Sequence, residues 1–359
     1  MVRRKEIAKM EFDIGLWAAV GFFLAAYAVV GNDALQTLGT FINSNGHVHW
    51  FFLFLFASAI LVVVFFWGYF GINCDLGSLQ CAQGSWGDPS FGRLNNTEKY
   101  PIFEPQWYHA LPPLTLLLLT RFGIPVSTTF MVLTIFATRD GLNSMLTKSL
   151  IGYGLAFVVG GIIYAIVTPT IERWFRKTAE NQRATHWVFL QWVTTGYLWS
   201  VWLMQDFANI FIFLPRGVSS AGTPALNPLE AAAAIGAIML LLAYTFWNKG
   251  GPVQRILRTK SNVTDIRSAT IIDFTFASLL FYFKELNDIP MSTTWVFLGL
   301  IAGREFAMAT IDRIRPAGDT VKIISSDAFK ALIGLVISVA LAVFLPLLAQ
   351  TLTAQFAGG

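Results

Sequence analysis

Two short stretches carry the side chains best placed to do chemistry, Ser127-Thr128-Thr129 and Ser292-Thr293-Thr294. Each ends a Pro-x-Ser-Thr-Thr pattern that starts at Pro125 or Pro290. Three consecutive hydroxyls donate hydrogen bonds, and no nucleophile-and-base constellation accompanies them, so the chemistry they suit is binding rather than bond breaking. Proline removes a backbone donor and disfavours helix at the residue before it. Ser and Thr then serve as caps of a new helix. Each copy therefore reads as a break between two half-helices, with hydroxyls and free N–H groups gathered where an anion binds. The bland alternative is Ser and Thr bonding their own backbone carbonyls inside a membrane helix. A second copy in the same pattern argues against it.

A second motif also occurs twice. Gly31-Asn32-Asp33-Ala34-Leu35-Gln36-Thr37-Leu38-Gly39-Thr40 opens the first half, and Gln205-Asp206-Phe207-Ala208-Asn209 stands at the matching place in the second. Each acid follows an amide, Asn32 or Gln205, and precedes a second amide by three residues, Gln36 or Asn209. Residues three apart share a helix face, so acid and second amide can address one site. An acid inside an apolar run costs roughly 2.5–3.5 kcal/mol on insertion scales and so faces a site or a partner. The alternative is a helix cap at an interface. Asp33 precedes Ser127 by 94 residues and Asp206 precedes Ser292 by 86, which supports a duplication.

The elements that must position these motifs are membrane helices. The 359 residues are 55% hydrophobic and 13% charged, with a mean hydropathy of +0.58. A soluble domain has about 25% charged residues. The abundant Phe and Trp suit lipid-facing surfaces and interfacial belts. No basic tract of the kind a nucleic-acid binder needs is present, and no Cys/His metal spacing.

Apolar runs occur at 14–31, 48–71, 111–138, 149–170, 187–214, 229–247, 269–302 and 331–350. A span needs about 20 residues. The runs 111–138 and 269–302 are too long for one helix and too short for two spans with a loop. Both hold a Pro-x-Ser-Thr-Thr break and read as re-entrant hairpins or paired half-helices. Basic residues gather in 171–185, 248–268 and 303–330, which the positive-inside rule makes cytoplasmic. The loops 72–108 and 215–228 then lie outside. The expected fold is an all-α polytopic membrane protein of two inverted-topology repeats with broken, re-entrant helices. Its parts are an N-terminal segment 1–13, repeat 1 over 14–170, a cytoplasmic linker 171–186 and repeat 2 over 187–350. Arg3, Arg4, Lys5 and Lys9 precede the first run and resemble a signal anchor, which is expected to be retained. They argue for an inside N-terminus where the inversion places it outside.

With both motifs in view, the sequence resembles the inorganic phosphate transporter family over nearly the whole chain. That family shows Gly-x-Asn-Asp-x-x-Asn-x-x-Gly-Thr followed by Pro-x-Ser-Thr-Thr, repeated once. Here Gln36 replaces an Asn, Met204-Gln205 replaces Ala-Asn, Ile210–Pro215 departs from a Gly-Pro turn, and Phe130 and Trp295 replace a His. The resemblance implies a secondary active transporter, a symporter of an inorganic oxyanion, phosphate first and sulfate as the alternative. The coupling ion would be sodium or a proton, with no other cofactor. By resemblance, Asp33 and Asp206, with Asn32 and Gln205 beside them, hold coupling cations. Ser127, Thr128, Thr129, Ser292, Thr293 and Thr294 hold the oxyanion, and Gln36 and Asn209 lend amide contacts. The expected partners are the oxyanion, the lipid bilayer and a second copy in a homodimer, with no nucleic acid. The expected location is a plasma membrane, the inner one in a bacterium. An anion channel is the competing class; an enzyme is not expected.

Other residues carry weaker readings. Cys74 and Cys81, seven apart in one hydrophilic loop, suit a local disulfide, with free thiols the alternative. Asp273, without a counterpart in the first half, either binds a cation or pairs with a base such as Arg267. Lys284, Glu285 and Asp288 suit an ion-pair group or a gate. His47 and His49 read as an interfacial loop rather than a metal pair.

Overall fold

The structure is a computed structural model that describes residues 14–70, 72–75, 80–83, 87–122, 124, 126–178, 180, 183–218, 224–249, 265–285, 292–311 and 316–357. The N-terminal segment 1–13, Pro125, Asp288, Pro290 and Met291 lie outside them, as do the side chains of Cys74, Cys81, Lys284 and Glu285.

The first half consists of α1 (Leu16–Ser44), α2 (Trp50–Phe70), α3 (Leu111–Arg121), the short α4 (Thr128–Leu133) and α5 (Arg139–Val167). A wider helical turn, Thr168–Glu172, and α6 (Arg173–Lys177) lead to the second half. That half runs α7 (Thr185–Phe211), α8 (Pro228–Trp247), α9 (Ile266–Leu280), α10 (Thr293–Ile311) and α11 (Ala317–Ala357). The order of elements is similar in the two halves: in each, a long helix, a second span, a broken pair and a returning helix follow one another. The broken pairs are not alike. α3 and α4 have 11 and 6 residues, whereas α9 and α10 have 15 and 19. Ile266–Phe283 and Thr293–Ile311 are each long and apolar enough to cross, where the sequence suggested two half-helices too short to do so. The strands form two small hairpins: β1 (Ile72–Asp75) with β2 (Gln80–Gln83), and β3 (Arg216–Val218) with β4 (Pro224–Leu226). Cys74 stands directly opposite Cys81 in the first hairpin, the register a local disulfide needs; the sulfurs themselves are outside the described side chains.

Seven stretches among the described residues are long and apolar enough to cross a membrane: Leu16–Asp33, Trp50–Phe70, Asp140–Phe175, Pro228–Trp247, Ile266–Phe283, Thr293–Ile311 and Gly318–Ala349. Large apolar side chains point outward along them, including Phe52 and Val63 on α2, Ile162 on α5 and Phe344 on α11. Polar side chains are buried at the centre. Such a distribution suits lipid outside and a polar site inside.

Four boundaries differ from the sequence reading. α1 continues to Ser44, well past the end of its apolar run, because Asp33, Gln36 and Thr37 face inward rather than into lipid. The run 187–214 forms α7, which is not among the seven apolar stretches. Gln191, Thr194, Thr195, Gln205, Asp206 and Asn209 dilute it, and all are buried in the interior. α5 starts at Arg139 instead of 149. The stretch 303–330, expected as a loop, is largely helix. α10 carries on to Ile311, and α11 begins right after Pro316 with Asp319 in its first turn, where an acid favours the helix dipole. Hydropathy marks only the lipid-facing length of a helix; α11, at about 1.5 Å per residue, is about twice as long as a bilayer core is thick.

One contact joins the halves closely. α10 lies against α5 through Gly299 and Gly303. A side-chain carbon added at Gly303 would sit 2.5 Å from the Gly161 nitrogen and 2.6 Å from the Phe157 carbonyl oxygen. Only glycine allows the backbones this near, as in small-residue membrane helix pairs. On the other side, Trp199 of α7 stacks on Trp202 with ring centres 4.9 Å apart and donates to the Ala57 carbonyl of α2 at 2.9 Å.

Candidate functional site

Both breaks are capped by the serine of the triplet. Ser127 Oγ accepts from the Phe130 N–H at 3.1 Å and starts α4. Ser292 Oγ accepts from the Trp295 N–H at 3.3 Å and starts α10. Each serine oxygen thus satisfies one orphan N–H of its new helix, with the O–H left to donate elsewhere. The threonines that follow are turned to the interior: Thr128, Thr293 and Thr294 are buried and Thr129 is half-buried.

The acids of α1 and α7 meet these hydroxyls. Asp33 Oδ1 accepts from Asn32 Nδ2 at 2.6 Å, from Gln36 Nε2 at 3.3 Å and from Thr294 Oγ1 at 3.4 Å. Its Oδ2 accepts from Thr128 Oγ1. Asp206 Oδ1 accepts from Thr129 Oγ1 at 3.3 Å and from Asn209 Nδ2. Asn209 Nδ2 also reaches Thr129 Oγ1 at 3.2 Å, as Gln36 Nε2 reaches Thr294 Oγ1 at 3.5 Å. The contacts are matched across the halves. In each, the amide three residues after the acid bonds that acid, and both meet the third hydroxyl of the opposite half's triplet.

Asp33 is 0% exposed and Asp206 1%. Three amide oxygens of the same cluster, Gln36 Oε1, Gln205 Oε1 and Asn209 Oδ1, are buried and accept no hydrogen bond from the described residues. Buried carboxylates beside unsatisfied amide oxygens are the donor set of a hard cation, which takes oxygen ligands. Of the expected residues, Asn32, Gln36, Thr128 and Thr294 gather on Asp33, and Thr129 and Asn209 on Asp206; the two groups adjoin through the neighbouring Thr128 and Thr129. Ser127 and Ser292 border them as caps, and Thr293 is buried between Ser292 and Thr294. Gln205 turns its amide nitrogen to the Leu280 carbonyl at 3.4 Å, the last residue of α9.

One contributor was missed in the sequence. Arg93, from the segment between the first hairpin and α3, donates Nη1 to the Gln205 carbonyl at 2.8 Å, directly beside Asp206. As one of only two basic residues in the loop 72–108, it was the signal available. Nearby, Arg216 Nη1 donates to the Leu94 carbonyl at 2.6 Å. Burial raises the Asp88 carboxyl above its ordinary range, against the hydrogen bonds from Ser90 and the charge of Arg216. Burial lowers Arg216, opposed by Asp88. These groups tie the segment ahead of α3 to the end of α7 and the residues that follow it.

No protein-family model matches the chain, and no curated protein matches it in sequence. Among solved structures it is similar to "The sodium-dependent phosphate transporter", with a TM-score of 0.58, 13% identity, and coverage of 94% of this chain and 98% of that one. The likeness shows a shared fold over nearly the full length of both, and the expected all-α polytopic architecture is the one found.

Proposed function

We propose that the chain is a secondary active transporter that carries an inorganic oxyanion, phosphate, together with a cation. The carrying observation is the matched pair of contacts: the third hydroxyl of each triplet lies on the acid of the other half, in a buried cluster with orphaned amide oxygens. The structural neighbour, a sodium-dependent phosphate transporter, supports the same reading. In this reading the two halves, 14–170 and 187–350, are inverted repeats, and the site forms where they meet.

Asp33 and Asp206, with the oxygens of Asn32, Gln36, Gln205 and Asn209, hold the cation, sodium in first place. Ser127, Thr128, Thr129, Ser292, Thr293 and Thr294 donate hydroxyl and backbone hydrogens to the oxyanion. The positive end of α10, a helix of 19 residues, adds its dipole. Without the cation, two carboxylates and an oxyanion repel one another. Each bound cation cancels one of those charges and lowers the cost of turning the loaded site to the other side. The charge balance makes anion affinity depend on the cation, which is what couples the two fluxes.

Uptake of radiolabelled phosphate into proteoliposomes tests the reading, with and without sodium, with an imposed pH gradient, and with sulfate as competitor. Saturable phosphate uptake that rises with an inward sodium gradient supports it. Flux that is neither saturable nor cation-dependent overturns it in favour of a channel.

A further inference from the structure

Asp273 lies apart from the cluster just described. It belongs to α9, is 1% exposed, and is clasped by two threonines. Thr40 Oγ1 donates to its Oδ1 at 2.8 Å, and Thr195 Oγ1 to its Oδ2 at 2.6 Å. Thr40 stands seven residues after Asp33 on α1, and Thr195 stands 11 before Asp206 on α7. One carboxyl group therefore spans the three helices that carry both acids and lead to the second triplet.

The charged groups around it are engaged elsewhere. Arg267 turns to Asp265 at 2.6 Å, to the Phe175 carbonyl at 2.6 Å and to Thr178 at 2.8 Å, so the pairing the sequence offered is absent. From α10, Arg304 faces Glu172 at 3.6 Å and Glu305 at 3.1 Å, and covers the Tyr164 ring of α5 at 5.6 Å. Ser268 takes up the other side of Glu172 at 3.0 Å. α1 and α7 contribute the uncharged Thr40 and Thr195. Among the described residues no basic side chain contacts Asp273. A carboxylate buried without a counter-charge gives up its charge by taking a proton.

We infer that Asp273 is a proton-binding site, protonated while α1, α7 and α9 are packed together and deprotonated when they part. In the packed state the carboxyl O–H donates to one threonine oxygen, and the other carboxyl oxygen accepts from the second threonine. On opening, the O–H bond breaks, the proton passes to water, and the carboxylate is left solvated. Its link to flux rests on the transporter reading; the presence of the proton does not.

Infrared difference spectroscopy on the purified full chain in lipid tests the proton directly. Wild type at neutral pH and saturating sodium should show the carbonyl stretch of a protonated carboxylic acid, and Asp273→Asn should lose it under the same conditions. Phosphate uptake tests the link: in wild type it should fall as pH rises through the titration of the group, by up to about tenfold per pH unit. Asp273→Asn should flatten that profile, and Asp273→Glu should restore a slope. No such band in wild type at neutral pH, or a band seen only when sodium is withheld, overturns the inference. A wild-type pH profile in Asp273→Asn overturns it as well. If Asp273→Asn does not fold, a pH titration of the wild-type band decides alone. A band with no phosphate uptake in wild type leaves the proton site standing and sinks the transporter reading instead.

Discussion

Thr129 Oγ1 lies 3.3 Å from Asp206 Oδ1, although the one opens α4 in the first half and the other sits on α7 in the second. Thr294 and Asp33 repeat the relation in reverse at 3.4 Å. Neither acid meets its nearest hydroxyls only within its own half. Any movement of one half against the other must break or remake these bonds, so the site and the interface between halves are one structure.

Double-mutant cycles on these pairs are the sharpest test. Thr129→Val and Thr294→Val keep shape and remove a donor to a charged group. Each should cost roughly 1.5–3 kcal/mol, or about 10- to 100-fold in apparent affinity. Thr129→Val should be non-additive with Asp206→Asn, by about 0.5–3 kcal/mol, and additive with changes far from the cluster. Uptake kinetics over phosphate and sodium concentrations measure both. Additivity between Thr129→Val and Asp206→Asn would show that the contact does no work in transport.

Much of this arrangement was legible in the chain. Pro-x-Ser-Thr-Thr marked both breaks because proline and capping hydroxyls act locally, and Ser127 and Ser292 do cap new helices. Acid and amide three apart shared a face because helix geometry is local too. The cross-half pairing was not legible. Thr294 and Asp33 are 261 residues apart, and no spacing rule specifies which triplet meets which acid. Helix ends were misjudged wherever a helix leaves lipid or turns polar side chains inward, as at Ser44, Phe211 and Ala317. Hydropathy reports the solvent of a helix, not its length.

The contact between α5 and α10 should tolerate no side chain. Gly303→Ala places a methyl group 2.5 Å from backbone atoms that cannot rotate away. The cost should be about 1–3 kcal/mol, the range for overpacked cores. Gly154→Ala on α5 is the control, with nothing within 4 Å of the added carbon. Thermal unfolding in detergent should show a lower Tm for Gly303→Ala and an unchanged or slightly higher one for Gly154→Ala. Equal Tm values would mean that α5 and α10 do not pack as described.

His109, in the short helical turn Trp107–Ala110 ahead of α3, supplies a pH dependence. Its Nδ1 accepts from the Gln106 N–H at 2.8 Å, and its ring lies against both Phe103 and Phe136. Burial lowers it to about 4. The folded state therefore binds fewer protons than the unfolded one. Stability from this group is complete above about pH 6.5 and is lost as pH falls from there toward 4, by up to roughly 3 kcal/mol. His109→Gln should lower stability at neutral pH and remove that part of the slope. An unchanged slope between pH 6.5 and 4 would place the titration elsewhere.

The last prediction concerns the inversion on which the coupling argument depends. Thr97 and Glu180 are both exposed, the first in the segment before α3 and the second between α6 and α7. The scarcity of basic residues in 72–108 and their density in 171–185 put them on opposite sides of the membrane. Cysteine placed at each, in a background with Cys74→Ser and Cys81→Ser, reports the side by its reaction with an impermeant thiol reagent on intact cells. Thr97→Cys should label from outside, and Glu180→Cys only after permeabilisation. An odd number of crossings then separates the two positions. α1 and α7 must run in opposite senses through the bilayer, as the matched contacts of Asp33 and Asp206 require of inverted repeats. Labelling of both from one side would leave the two halves parallel. The cluster at Thr129 and Thr294 would then be a packing contact, without the symmetry that alternating access needs.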